Sequence, residues 1–221
     1  MSIKDNIAEI RKDIPDRVKL VCVSKFHPAS TISEAYDCGE RIFGESRVQE
    51  LTEKYECLPK DIQWHFIGHL QTNKIKYIVP FVSLIHGVDS QKLLLEIDHY
   101  AAKANRVVPC LLQVHIALEE TKFGFSENEL MNLFETMDYR QLKHVSIAGL
   151  MGMATYTTNE NQIRNEFRTL RNLRDELKRT YLKEENRFNE LSMGMTNDYR
   201  IAIEEGSTMV RIGTAIFGER N

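Results

Sequence analysis

Eight short apolar runs alternate with amphipathic stretches along 221 residues, and this alternation predicts an α/β protein folded as a single (β/α)8 barrel of the triosephosphate-isomerase type over residues 1–221. Periodicity alone leaves a doubly wound open sheet as the alternative. Two observations favour closure. No Gly-x-Gly-x-x-Gly fingerprint follows the first run. The chain also ends soon after the eighth run with no helix to follow it, so an N-terminal helix bearing Ile3, Ile7 and Ile10 is expected to cover that part of the wall.

The expected strands are Leu20–Ser24, Arg41–Gly44, Trp64–Gly68, Leu84–Val88, Val108–Ile116, Ser146–Met153, Glu190–Met195 and Met209–Gly213. Between them, Thr31-x-x-Glu34 and Ser126-x-x-Glu129 read as capping boxes, in which side chains satisfy the open amides of a first helical turn. Ser90 can cap a helix carrying Leu93, Leu94, Ile97, Ala101 and Ala104. The longest helix is predicted from about Asn161 to Tyr181, where Ile163, Phe167, Leu170, Leu173 and Leu177 recur at helical spacing. Gly39 and Gly206 fit helix ends. Residues 183–187, Lys-Glu-Glu-Asn-Arg, read as a solvated loop.

Apolar residues make up 42% and charged residues 28% of the chain, the balance of a globular protein with a sizeable core. A net charge of -3 gives no general pull toward nucleic acid or an anionic membrane. No apolar run is long enough to span a bilayer, and the polar start lacks a signal peptide, so a cytoplasmic location is expected. Cys22, Cys38, Cys57 and Cys110 are scattered, which argues against zinc and a disulfide framework; Cys22 and Cys110 fall within apolar runs as small hydrophobes.

In a barrel of this kind the chemistry gathers at the C-terminal strand ends. There the chain places Lys25, Glu45 with Ser46, His69, Asp89, His115, Met153, Met195 and the Gly213-Thr214 pair. Lys25 closes a continuous apolar run, and partial desolvation there favours a nucleophilic amine. His69 and His115 read as satisfied loop histidines and Asp89 as part of a helix cap, whereas Met151, Met153, Met193 and Met195 alternate at strand period as core filling does. The ending Arg211-Ile212-Gly213 offers a fixed cation and a bare backbone for an anion, with the Ser192 hydroxyl as a further donor. An amine, a partner for a ring nitrogen and a phosphate cradle are the needs of pyridoxal 5'-phosphate.

Longer stretches carry a resemblance. Val23-Ser24-Lys25, residues 43–50 (Phe-Gly-Glu-Ser-Arg-Val-Gln-Glu), residues 64–74 from Trp64 to Lys74, Gly149-Leu150-Met151, residues 191–195 and the stretch from Ala202 through Gly218 resemble the pyridoxal phosphate homeostasis proteins over nearly the whole chain. The resemblance implies a barrel similar to the N-terminal domain of alanine racemase, pyridoxal 5'-phosphate as cofactor, and Lys25 as the aldimine lysine. It implies Arg211 facing the pyridine nitrogen, Ser192, Gly213 and Thr214 at the phosphate, and Ser46 and Met195 as ring or pocket contacts. This chain departs from the family pattern at Ser46, where asparagine is usual, at His27, where many members carry a second lysine, at His115 in place of asparagine, and at Gly87 in His86-Gly87-Val88-Asp89. The Glu119-x-x-Lys122-x-Gly124 pattern is kept.

Two functions compete. A racemase or related amino-acid-transforming enzyme needs an acid-base group on each face of the bound substrate. In the racemases that this barrel resembles, the second of these groups is a tyrosine of a C-terminal β-domain, and this chain ends at Asn221. A protonated Arg211 also leaves the ring nitrogen without a proton and weakens the ring as an electron sink. A carrier needs no second catalytic group. The expectation is therefore a non-enzymatic, monomeric protein of intracellular cofactor homeostasis that delivers pyridoxal phosphate to apo-enzymes. A protein that binds no cofactor and acts as a scaffold is the third reading.

Overall fold

The computed structural model describes residues 2–119 and 123–219. The strands are β1 Lys19–Val23, β2 Ile42–Glu45, β3 Gln63–Phe66, β4 Leu84–Val88, β5 Val108–Val114, β6 Val145–Gly152, β7 Glu190–Ser192 and β8 Met209–Ile212. Each pairs in parallel with the next, and β8 returns to β1 with Lys19 opposite Met209 and Val21 opposite Arg211. That last ladder closes the barrel and rules out the open sheet. All eight expected runs are strands.

The helices are α1 Ile3–Asp13, α2 Ala29–Asp37, α3 Val48–Cys57, α4 Ile75–Ile78, α5 Gln91–Lys103, α6 Glu127–Thr136, α7 Glu160–Thr180, α8 Tyr199–Glu204 and α9 Thr214–Phe217. Ser126 and Glu129 form the expected capping box, Ser90 accepts from the Leu93 amide at 3.3 Å, and the apolar stripe of α7 is buried throughout. No helix of the described residues is long and apolar enough to cross a membrane.

Four expectations need correction. Thr31 and Glu34 lie inside α2, which starts earlier because the extended Pro28 presents its carbonyl to the amides of Thr31 and Ile32. A one-turn helix, α9, does follow β8, and α1 packs on it through Asn6 Nδ2, which donates to the Ile216 carbonyl at 2.9 Å. β7 stops at Ser192 because Gly194 takes φ +96° and turns the chain away; any Cβ there would lie 2.6 Å from that of Ala202. β5 stops at Val114, where Phe125 brings its own backbone into the ladder beside Gln113 and His115.

Strand alternation sorts the core into two layers. Leu20 and Cys22 of β1 face the helices, while Val21 joins Leu84, Leu111, Ala148, Met151 and Met209 in a plug inside the barrel. The same period carries Val23 and Lys25, and on the neighbouring strand Arg211 and Gly213, to the wall of a cleft at the C-terminal mouth.

Candidate functional site

The cleft has a volume of about 1010 Å³, and its wall includes Lys25, His27, Met153, Met195, Arg211, Gly213 and Thr214. Lys25 is half-buried. Both peptide groups that flank it are held by α3. Lys54 Nζ donates to the Ser24 carbonyl at 2.9 Å, and Glu50 Oε1 accepts from the Phe26 amide at 2.6 Å. The same ammonium bonds Glu50 at 2.6 Å and Glu45 at 2.7 Å, and the Ser24 hydroxyl donates to Glu45 at 2.6 Å. Phe26 sits at φ +69°, a left-handed conformation that costs about 1–3 kcal/mol in a residue of this kind. The Glu50 carboxylate, together with Arg47 stacked 4.6 Å over the Phe26 ring, sustains it. This turn aims the lysine along the inner wall. Glu45 is withdrawn from water, and burial pushes its carboxyl up to about 7 while Lys54 pulls it back.

Arg211, 5% exposed, donates to three neutral acceptors among the described residues: the Ser192 carbonyl at 2.8 Å, the Ser192 hydroxyl at 2.5 Å and the Gly152 carbonyl at 3.1 Å. Burial lowers the guanidinium to about 10, with Asp198 opposing, so it stays protonated at neutral pH. A buried cation whose side-chain hydrogen bonds go to neutral acceptors, with Asp198 also in the cleft wall, is positioned for an anionic or lone-pair-bearing ligand in the cleft. Ser192, expected at a phosphate, is fully buried beneath Arg211 and outside the cleft wall, and it also bonds His86 Nδ1 at 2.9 Å, which ties its hydroxyl to the arginine.

Gly213 closes the opposite side of the floor. A Cβ there would lie 2.9 Å from the Val23 carbonyl oxygen, so only a bare backbone lets β8 lie this close to β1. Thr214 is exposed beside it. Met195 is 39% exposed at the rim, its amide donating to Asp198 Oδ1, so pocket lining rather than core filling describes it. Ser46 is not in the cleft wall; its carbonyl packs on Gly68. His115 bonds the Glu119 carbonyl at 2.8 Å, and His27 packs its ring on Phe217 at the rim. Asp89 caps no helix, since Ser90 does; it bonds His69 Nδ1 at 2.9 Å. Lys122 lies outside the described residues.

The clamp on Lys25 escaped the sequence reading. Glu50 and Lys54 stand four apart on a helix, the commonest spacing of a solvated ion pair, and only their burial distinguishes them. His65 and His86 lay in motifs quoted above, but nothing in their spacing joins them across the barrel.

Residues 1–221 match the family described as alanine racemase, N-terminal domain. The pyridoxal phosphate homeostasis protein of Aquifex aeolicus (strain VF5) is 47% identical over 91% of this chain and 87% of its own. That of Synechocystis sp. is 36% identical over 96% of both. PipY of Synechococcus elongatus PCC7942, solved with PLP bound, is 36% identical, covers 98% of this chain and 100% of its own, and superposes with a TM-score of 0.89. Alanine racemase of Clostridium difficile 630 shares the fold at 14% identity, with a TM-score of 0.73 over 99% of this chain and 56% of that one. The chain thus belongs to the alanine racemase N-terminal-domain family, among the pyridoxal phosphate homeostasis proteins.

Proposed function

We propose that this protein binds pyridoxal 5'-phosphate in the barrel-mouth cleft, holds it covalently through Lys25, and serves its homeostasis and delivery to apo-enzymes. The observation that carries the reading is the pairing of Lys25 with the buried Arg211, whose three hydrogen bonds go to neutral acceptors, across one cleft. The cofactor supplies an aldehyde, with which a lysine amine forms a C=N bond as water leaves; water or a second amine reverses it. Arg211 would present its remaining N–H donors to the ring nitrogen. Gly213 and Thr214 would receive the phosphate, and Met195 would line the pocket.

Delivery is supported by the rim, where Phe26, Leu118, Phe123, Tyr156 and Met195 expose apolar surface on segments that follow barrel strands. We read the working unit as a single domain over residues 1–221, monomeric and cytoplasmic. The racemase alternative needs a second acid-base group at the reacting carbon. The cleft offers Tyr156, 88% exposed, and His27, packed on Phe217. The relatives that match this chain over most of its length are named as homeostasis proteins, which supports the carrier over the racemase.

Absorption spectroscopy followed by borohydride reduction and peptide mapping tests the binding. A violet band and a pyridoxyl adduct on Lys25, lost in Lys25→Ala, are expected; no band after incubation with excess cofactor would overturn the reading. Loaded protein should reactivate an apo pyridoxal-phosphate enzyme, and alanine in deuterium oxide should gain no α-deuterium above the cofactor-only control.

A further inference from the structure

A hydrogen-bonded row crosses the barrel interior from β8 to β3. Arg211 Nη1 meets Ser192 Oγ at 2.5 Å, Ser192 Oγ meets His86 Nδ1 at 2.9 Å, and His86 Nε2 meets His65 Nδ1 at 3.0 Å. Ser192 and His86 are fully buried and His65 is nearly so. The polarity of the row is set from one end. A guanidinium has donors and no acceptor, so Ser192 Oγ accepts from Arg211, and of its two partners in the row only His86 Nδ1 can take the hydroxyl proton. His86 therefore carries its proton on Nε2 and donates it to His65 Nδ1, which leaves the proton of His65 on Nε2. Were His86 instead to donate to Ser192, the hydroxyl proton would be left without an acceptor in this row, inside a dry interior.

The cofactor reading uses Lys25 and Arg211 but leaves both imidazoles without a task. A buried arginine is commonly held by a carboxylate, which fixes its pose and cancels its charge together. Here neutral acceptors take the hydrogen bonds and fix the pose, and the Asp198 carboxylate in the cleft wall favours the charge without outweighing burial. Burial keeps His65 down at about 3, and His86 is lowered by burial and by the neighbouring His65 and Arg211, so both are neutral at physiological pH.

We propose that His86 is a positioning residue for Arg211: through Ser192 it holds the guanidinium in the pose that meets the ring of bound pyridoxal phosphate. The proposal rests on the cofactor reading above and adds the residue that orients its arginine. His65 extends the row and fixes the tautomer of His86.

Two measurements test it. Imidazole nitrogen NMR of the full chain without cofactor should find the protons of His86 and His65 on Nε2 in both rings; a His86 proton on Nδ1 overturns the row. With pyridoxal phosphate bound, His86→Leu and Ser192→Ala should each release cofactor about tenfold faster, the scale of one lost hydrogen bond to a charged group. Both should move the pH midpoint of the bound chromophore, and His86→Leu should add little in a Ser192→Ala background. His86→Gln, which keeps an acceptor, should restore much of the retention. Ser192→Ala removes one oxygen and so remains informative should His86→Leu fail to fold. A wild type that forms an adduct at Lys25 while these variants leave release and midpoint unchanged overturns the role of His86 alone. A wild type with no adduct overturns the cofactor reading and this proposal together.

Discussion

The ammonium of Lys54 lies 2.9 Å from the carbonyl oxygen of Ser24, the residue immediately before Lys25. Lys54 is 5% exposed and also joins Glu45 and Glu50, and Glu50 in turn takes the amide of Phe26, so one ion cluster grips the backbone on both sides of the lysine. Removing one partner of a buried ion pair leaves the others uncompensated, at about 3–5 kcal/mol. Lys54→Met should lose stability on that scale in urea unfolding. Glu50→Gln keeps the shape and weakens the hold on Phe26; it should slow adduct formation at Lys25 severalfold in stopped-flow absorbance with a smaller loss of stability. Equal adduct rates in Glu50→Gln and wild type would show that the clamp does not aim the lysine.

The two interior histidines predict an acid limb. Their native proton affinities are lowered by burial, His65 to about 3. The unfolded chain therefore binds more protons than the native one below the ordinary histidine value of 6.5. Stability is complete above that value and falls as pH drops below it, by about 1.4 kcal/mol per unit for His65 down to about 3 and in the same direction for His86. Glu45 acts in the opposite sense. Its carboxyl is raised to about 7, so its contribution is lost as pH rises from 4.5 to about 7. Unfolding free energies at several pH values, in wild type and in His65→Leu, should separate the two. The variant should show a shallower acid slope and keep the Glu45 component.

Gly213 predicts a steric effect specific to the site. In Gly213→Ala the new Cβ would meet the Val23 carbonyl oxygen at 2.9 Å and Val23 Cβ at 3.2 Å, so β1 must shift two residues before Lys25. Stability should fall by about 1–3 kcal/mol, and cofactor should leave about tenfold faster. Gly39→Ala is the control. Its φ of +100° makes it costly, yet a Cβ there meets nothing within 4 Å, so it should lose about 1 kcal/mol and retain cofactor normally. Equal retention by both variants would remove Gly213 from the binding surface.

Arg211→Gln leaves a shorter, neutral side chain above Ser192. The absorbance of the bound cofactor and its response to pH should change, because on the proposed arrangement the fixed cation that would keep the ring nitrogen unprotonated is gone. Identical spectra of wild type and variant from pH 6 to 9 would mean that Arg211 does not face the ring.

Barrel, strand order and the principal cleft residues were legible because they depend on local periodicity. An apolar run ends in Lys25, another carries Arg211 and Gly213, and the eight-fold alternation is repeated along the chain. Boundaries went wrong where a single backbone feature decided them, as Gly194 did for β7 and Pro28 for α2. Ser192 was expected at the phosphate because a hydroxyl near a strand end looks equally available to any ligand. Its neighbour Arg211 and the distant His86 took both of its hydrogen-bonding roles.

The sequence by itself determined the fold and the family and put Lys25 forward at the end of the first strand, since each is written in spacing and motif along one strand or helix. Only the tertiary structure decided what surrounds that lysine. Barrel closure brings β1 beside β8 and lays α3 behind Ser24 and Phe26. It also aligns His65, His86, Ser192 and Arg211 from four strands into one row. The polarity of that row and the neutrality of its imidazoles follow from burial and from the donor-only guanidinium, and neither exists until the barrel has excluded water from its interior.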